Sequence, residues 1–151
     1  MKIKLVLVLC VSLFGFSGCL LPSVNLKNAL LTKLTQKDLE VGLKFDVFNP
    51  NEYQLPVQGI DWDLDLFRAD FTKGNTKFSR NIGAKQSVGV DIPVGVRFQS
   101  LAVGVTSLLT QPKIPWGFGG GMSFRSPTQD PIRVGFNAKG DWANPILGLL
   151  K

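Results

Sequence analysis

The chain has 151 residues and carries 17 Lys and Arg against 11 Asp and Glu, a formal charge of +6 at neutral pH. That is enough chain for one domain with a buried core, and the cationic surplus is too small and dispersed to make the basic face of a nucleic-acid binder. There is no histidine, which excludes Ser-His-Asp hydrolysis, histidine general-base chemistry and most zinc sites.

Residues 1–18 read as an export signal in three zones. Lys2 and Lys4 form a positive start, and Leu5 to Phe16 is apolar without a charge. That run is shorter than the ~20 apolar residues a helix needs to cross a bilayer. Phe16-Ser17-Gly18-Cys19 then looks like a lipobox, where bacterial exporters attach diacylglycerol to the cysteine thiol and cut between Gly18 and Cys19. Small residues at Ser17 and Gly18 suit that cut, while Phe16 stands where Leu, Val or Ile is usual. The competing reading is an ordinary secretory signal with a chance cysteine, or an uncleaved membrane helix. The combined pattern favours the lipobox.

Cleavage removes 18 of 151 residues to leave 133, and the loss of Lys2 and Lys4 lowers the charge from +6 to +4. Cys10 goes with the signal, so Cys19 is the only thiol of the mature chain. No internal disulfide and no cysteine nucleophile remain. Buried acyl chains contribute about 0.8 kcal/mol per methylene and one chain holds a protein only marginally. A diacylglycerol plus an N-acyl chain on Cys19 anchors it permanently. Leu20 is not the aspartate that retains such proteins at the inner membrane of enteric-type bacteria, which points to the periplasmic face of the outer membrane. The expected organisation is a signal at 1–18, a lipidated start and short tether at 19–21, and one domain over 22–151.

From Asp38 onward period-two alternation dominates, and the stretch before it is less clean. Val24, Leu26, Leu30, Leu31 and Leu34 fit a strand that shifts parity near Ala29. Leu39, Val41, Leu43, Phe45 and Val47 alternate with polar residues, so one face of that strand is buried. Asn49-Pro50-Asn51 closes it, Pro50 forcing Asn49 out of helical space. Ile60, Trp62, Leu64 and Leu66 bury one face of the next strand and leave Asp61, Asp63 and Asp65 wet. Lys73-Gly74-Asn75 reads as a turn. Val88 to Phe98 alternates again, and Pro93 on the polar parity marks an edge strand or a bulge. Leu101, Val105, Leu108 and Leu109 sit at helical spacing behind a Ser100 cap and before Pro112, one short helix. Two more strands follow, through Ile114, Trp116, Phe118, Met122 and Phe124, and through Ile132, Val134, Phe136 and Ala138. About six strands with one buried face predict a mostly β fold, an antiparallel β-sandwich with one short helix.

Phe45 to Asn51, followed by Leu55-Pro56-Val57 and the alternating Ile60-Asp61-Trp62-Asp63-Leu64, resembles the late embryogenesis abundant type 2 family, also called the water stress and hypersensitive response domain. The resemblance runs in order from Pro22-x-Val24-x-Leu26... through Asn49, Pro50 and Asn51, a glycine turn near Gly74 and the aliphatic Val88 to Val96, and covers roughly Pro22 to Asp141. It implies a fibronectin- or immunoglobulin-like sandwich, no catalytic residues, bacterial members that are lipoproteins, and a link to desiccation and other stress. Some related domains have been proposed to bind lipid.

The glycine-rich run Trp116-Gly117-Phe118-Gly119-Gly120-Gly121-Met122 departs from that pattern. Glycines weaken a strand unless it bends or something approaches its backbone. One reading is a kinked strand beside bulky neighbours. The other is a groove in which Trp116, Phe118 and Met122 contact an acyl chain. Asp61, Asp63 and Asp65 lie about 7 Å apart along a strand, and the run lacks the glycine and glutamate of a calcium loop. A solvated, cross-strand-paired face is expected there, with no metal and no enzyme. The expected partners are membrane lipid through the anchor and either further lipid or an envelope protein bound by strand addition in an assembly role.

Overall fold

The computed structural model describes residues 20–35, 37–98, 107–108, 110–127 and 130–148. Cys19, Gly18 and the rest of the expected signal lie outside them, as does most of the expected helix. Among the described residues seven strands follow in order: β1 (Ser23–Leu34), β2 (Asp38–Phe48), β3 (Leu55–Leu66), β4 (Ala69–Ile82), β5 (Ser87–Arg97), β6 (Lys113–Phe124) and β7 (Ile132–Ala143). They form two antiparallel sheets, one ordered β1-β2-β5 and the other β4-β3-β6-β7. The result is the expected β-sandwich.

Alternation decides which side chains meet between the sheets. β2 contributes Leu39, Val41, Leu43, Phe45 and Val47, and β5 contributes Val90, Ile92 and Val94. β3 faces them with Leu55, Val57, Ile60, Trp62, Leu64 and Leu66, and β6 with Ile114, Phe118, Met122 and Phe124. Parity in β3 changes between Val57 and Ile60 because the register slips at Gly59. Phe45 meets Phe136 edge to face, with ring centroids 4.8 Å apart, tying β2 of one sheet to β7 of the other. Each such ring removed from water contributes about 1.5–3 kcal/mol.

The parity shift expected in β1 is present: Val24 and Ala29 are its buried residues, and the register slips between Leu26 and Asn28 and again between Leu31 and Lys33. Pro93 stands opposite Gly42 on β5, an edge strand of its sheet, where a missing N–H costs no ladder bond.

The expected turn at Lys73-Gly74-Asn75 is a correction. Those residues lie inside β4, paired with Asp63, Trp62 and Asp61. The chain instead reverses at Phe67 and Arg68, whose φ angles of 53° and 65° make the tight turn without glycine. Gly74 serves packing, since a Cβ there would lie 2.7 Å from the Trp62 indole. β4 was hidden because it is an edge strand with one buried residue, Ile82.

Of the expected helix, Ser107, Leu108 and Thr110 are described and helical, and Gln111 N–H bonds Ser107 C=O at 3.0 Å. A second short helix, α1 (Pro145–Gly148), follows β7. Buried Asn144 joins the two. Its amide nitrogen donates to the carbonyls of Leu108 and Gln111 at 2.7 and 2.8 Å, and its oxygen accepts the Ile146 N–H at 3.0 Å as an N-cap.

Candidate functional site

Two features stand out, one at each of the places where the sequence carries an unusual run. The first is Asn49-Pro50-Asn51, at the end of the sandwich where β2 hands over to β3. Asn49 is fully buried and Asn51 nearly so. A buried amide is tolerated only when its donors and acceptor are matched. The Asn49 Nδ2 lies 2.7 Å from Tyr53 C=O and 3.1 Å from the carbonyls of both Ile82 and Gly83. Its Oδ1 accepts the Asn51 N–H and the Asn51 Nδ2, both at 3.0 Å. The backbone seals the same junction, with Asn49 N–H on Gln86 C=O at 2.9 Å and Lys85 N–H on Asn51 C=O at 3.1 Å.

Asn51 then reaches the start of the described chain. Its Nδ2 donates to Leu20 C=O at 2.9 Å, and its Oδ1 accepts the Leu20 N–H at 2.8 Å. This reciprocal pair is the one a neighbouring strand would make, supplied by a side chain. The residue after Cys19 is therefore held to the domain at both its peptide groups. The sequence marks Asn49, Pro50 and Asn51 as a turn but gives no sign of this partner, because the contact spans 31 positions.

The second feature is the outer face of the four-stranded sheet along β6. No bulge falls in the glycine run: β6 pairs with β7 in unbroken register. Neighbours approaching the backbone account for two of its glycines. A Cβ on Gly120, where φ is 148°, would lie 2.0 Å from Asp61 C=O, and one on Gly121 would lie 2.4 Å from the Arg133 guanidinium. Across bare Gly121, Arg133 on β7 reaches Asp61 on β3, with Nε to Oδ1 at 2.8 Å and Nη2 to Oδ2 at 2.5 Å. That bidentate contact holds the Asp61 carboxyl below its ordinary range and raises Arg133. Asp65 moves the other way, pushed up first by desolvation and then by Asp70 opposite it on β4. Among the described residues no group of three or more His, Cys, Asp and Glu could hold a metal ion.

Phe118 and Met122 do not line a cleft. They are 1% and 0% exposed and fill the core between the sheets, so an acyl chain would have to displace core side chains to touch them. Trp116 is half-buried and stacks on Trp142 with centroids 5.5 Å apart. It borders a surface recess of about 670 Å³ with an apolar floor that includes Pro115 and a rim that carries Asp65, Arg68, Lys139 and Asp141. Trp142, which sequence reasoning did not single out, donates its indole N–H to Ala29 C=O at 2.7 Å and so pins β7 to β1 across the open side of the sandwich. No described helix is long and apolar enough to cross a membrane.

Residues 44–140 match the family described as late embryogenesis abundant protein. No curated protein matches the chain. Among solved structures, a protein of Arabidopsis thaliana determined in solution superposes with a TM-score of 0.65 at 19% identity, over 80% of each chain. A protein of late embryogenesis abundant type, also solved in solution, gives 0.65 at 19% identity over 83% of this chain and 72% of that one. A crystal structure from Archaeoglobus fulgidus gives 0.60 at 13% identity over 80% and 94%. At these identities the structural likeness speaks for the fold alone.

Proposed function

Because the chain belongs to the late embryogenesis abundant type 2 family, a generally non-enzymatic family with a stress-related role, we propose that it is a protective domain tethered to a bacterial envelope membrane by acyl chains on Cys19. It acts without catalysis, most simply at the periplasmic face of the outer membrane. The observation that carries the tether is the reciprocal bonding of Asn51 to Leu20. A lipidated Cys19 would be the next residue, so the anchor would leave directly from the folded body and keep the domain at the bilayer surface.

Mass spectrometry of the mature protein tests this. The expected product begins at Cys19 with diacylglycerol and an N-acyl chain. A chain beginning at Met1, or cut elsewhere without acyl groups, overturns the tether. The protective role is read from survival on drying: a deletion strain loses viability, the natural protein restores it and Cys19→Ser does not. Full rescue by Cys19→Ser would detach the function from the membrane.

One observation favours a second reading, an assembly role through strand addition. β4 is one of the two edge strands of its sheet, 14 residues long and largely exposed. Cross-linking in intact envelopes that captures one stoichiometric protein through β4, with drying survival unaffected by deletion, would support assembly over protection.

A further inference from the structure

We propose that the Asn-Pro-Asn end of the sandwich is the membrane-contacting face, with Asn51 fixing the domain in one orientation and Leu20, Leu21 and Phe48 entering the lipid headgroup region. The inference rests on the tether proposed above and adds to it an orientation and a contact surface.

The described residues include four large hydrophobic side chains that are exposed: Leu20 at 56%, Leu21 at 70%, Phe48 at 39% and Leu30 at 42%. Three of them sit at one end. Leu20 is bonded to Asn51, Leu21 follows it, and Phe48 precedes Asn49 and pairs with Ser23. Single exposed apolar residues are ordinary, but a cluster at one end has a use. The only route from these residues to Cys19 is the single peptide link at Leu20, and Leu20 is held at both its N–H and its C=O. An acylated Cys19 could not stand more than one residue's reach, roughly 3.5 Å, from this end. The opposite end, at Phe67 and Arg68, lies a strand length away. β3 spans 12 residues, which at roughly 3.3 Å each is about 40 Å.

The charges at this end suit anionic headgroups. Arg80, Lys85 and Arg125 stand on or beside the strand ends there, against Glu52 and Asp130. Lys85 pairs with Glu52 at 3.4 Å, with both side chains largely in solvent, so the pair would exchange easily for lipid phosphate. Leucines and a phenylalanine at an end that also carries three cations have the composition of an interfacial surface rather than of a protein-binding groove.

The single thiol of the mature chain makes the test clean, because that thiol is acylated and an introduced cysteine is the sole labelling site. The acylated protein, checked by mass spectrometry, is placed in phosphatidylethanolamine and phosphatidylglycerol vesicles with an environment-sensitive fluorophore at Phe48→Cys or Arg68→Cys. Expected is a blue-shifted signal at position 48, quenched several-fold more by a lipid-borne quencher than the signal at position 68. An insertion of about ten Gly and Ser residues between Cys19 and Leu20, which preserves the fold but frees the tether, should leave the protein bound and reduce the difference. Asn51→Ala should do the same where it folds. Equal quenching at both positions in acylated protein overturns the contact face, and a difference untouched by the insertion overturns the part given to Asn51 in fixing the orientation, while either result leaves the tether standing. Absence of acylation overturns both.

Discussion

The Asn-Pro-Asn end and the glycine strip of β6 solve opposite problems with opposite means. At the first, strands stop and their backbone groups would be stranded in the interior. Two buried amides complete the bonding, and Asn51 binds Leu20 as a strand would. At the second, the backbone is already paired on both sides. What is needed there is room, and the missing side chains let Asp61 approach Gly120 and Arg133 cross Gly121. One region depends on specific atoms present and the other on atoms absent. Substitution should therefore hurt them in different ways: loss of bonds at the first, collision at the second.

The sharpest break is at Gly120. Gly120→Ala places a Cβ against the Asp61 carbonyl, a backbone atom that cannot turn away, in a conformation L-residues avoid. It should destabilise the domain by about 3–4 kcal/mol, read from the denaturation midpoint at unchanged slope. Asn49→Ala comes next. It removes the amide donor shared by the carbonyls of Tyr53, Ile82 and Gly83, of which Gly83 keeps the Gln86 N–H, together with the acceptor for Asn51, and should cost about 2–3 kcal/mol. Asn49→Asp should recover little, because a carboxylate cannot donate to those carbonyls. A recovery to full stability would mean that the junction is held by packing.

What could be seen beforehand follows the same division. The alternation of β2, β3, β5, β6 and β7 is written in adjacent residues, so the sandwich and most of its core were legible. β4 was not, because an edge strand with one buried residue has no hydrophobic period to show, and Gly74 reads as a turn when its neighbour Trp62 is unknown. Asn49-Pro50-Asn51 was legible as a turn. Its reach to Leu20, and the way Arg133 makes sense of Gly121, depend on residues 31 and 72 positions apart in the hydrogen-bonded pairs. Such contacts leave no local trace. Trp116, Phe118 and Met122 fitted either core or cleft, since aromatic composition is the same for both, and only burial separates them.

Gly121 sharpens the contrast because its neighbour is a flexible side chain. Gly121→Ala should cost no more than about 1 kcal/mol, since Arg133 can swing away and the surface ion pair it loses is worth little. The signature lies in the coupling. In an Arg133→Ala background the same substitution should become neutral or mildly stabilising, as glycine in a strand interior generally is improved by alanine. Simple additivity in that double-mutant cycle would break the account of the strip as space kept for Arg133. The pair also has a pH signature. Asp61 is depressed in the fold, so its contribution is present above the unfolded carboxyl range and is lost as pH falls through the folded value. Arg133→Ala should flatten that part of the acid limb.

The smallest effect has the opposite sign. Asp65 shares the outer face with Asp61 but faces Asp70 instead of a cation, and burial and that neighbour raise its pKa. A raised carboxyl is stabilising in its protonated form and loses that contribution as pH rises through the folded value. At neutral pH Asp65 is therefore a local strain on the sheet, and Asp65→Asn should stabilise the domain by no more than about 0.5 kcal/mol. The gain should fade below the unfolded carboxyl range, where the natural side chain is protonated in both states. Thermal unfolding of the two proteins at neutral and acidic pH reads both parts. A gain that persists unchanged into acid would place its origin in packing, and Asp65 would then belong with the glycines, where shape decides, rather than with Asp61, where charge does.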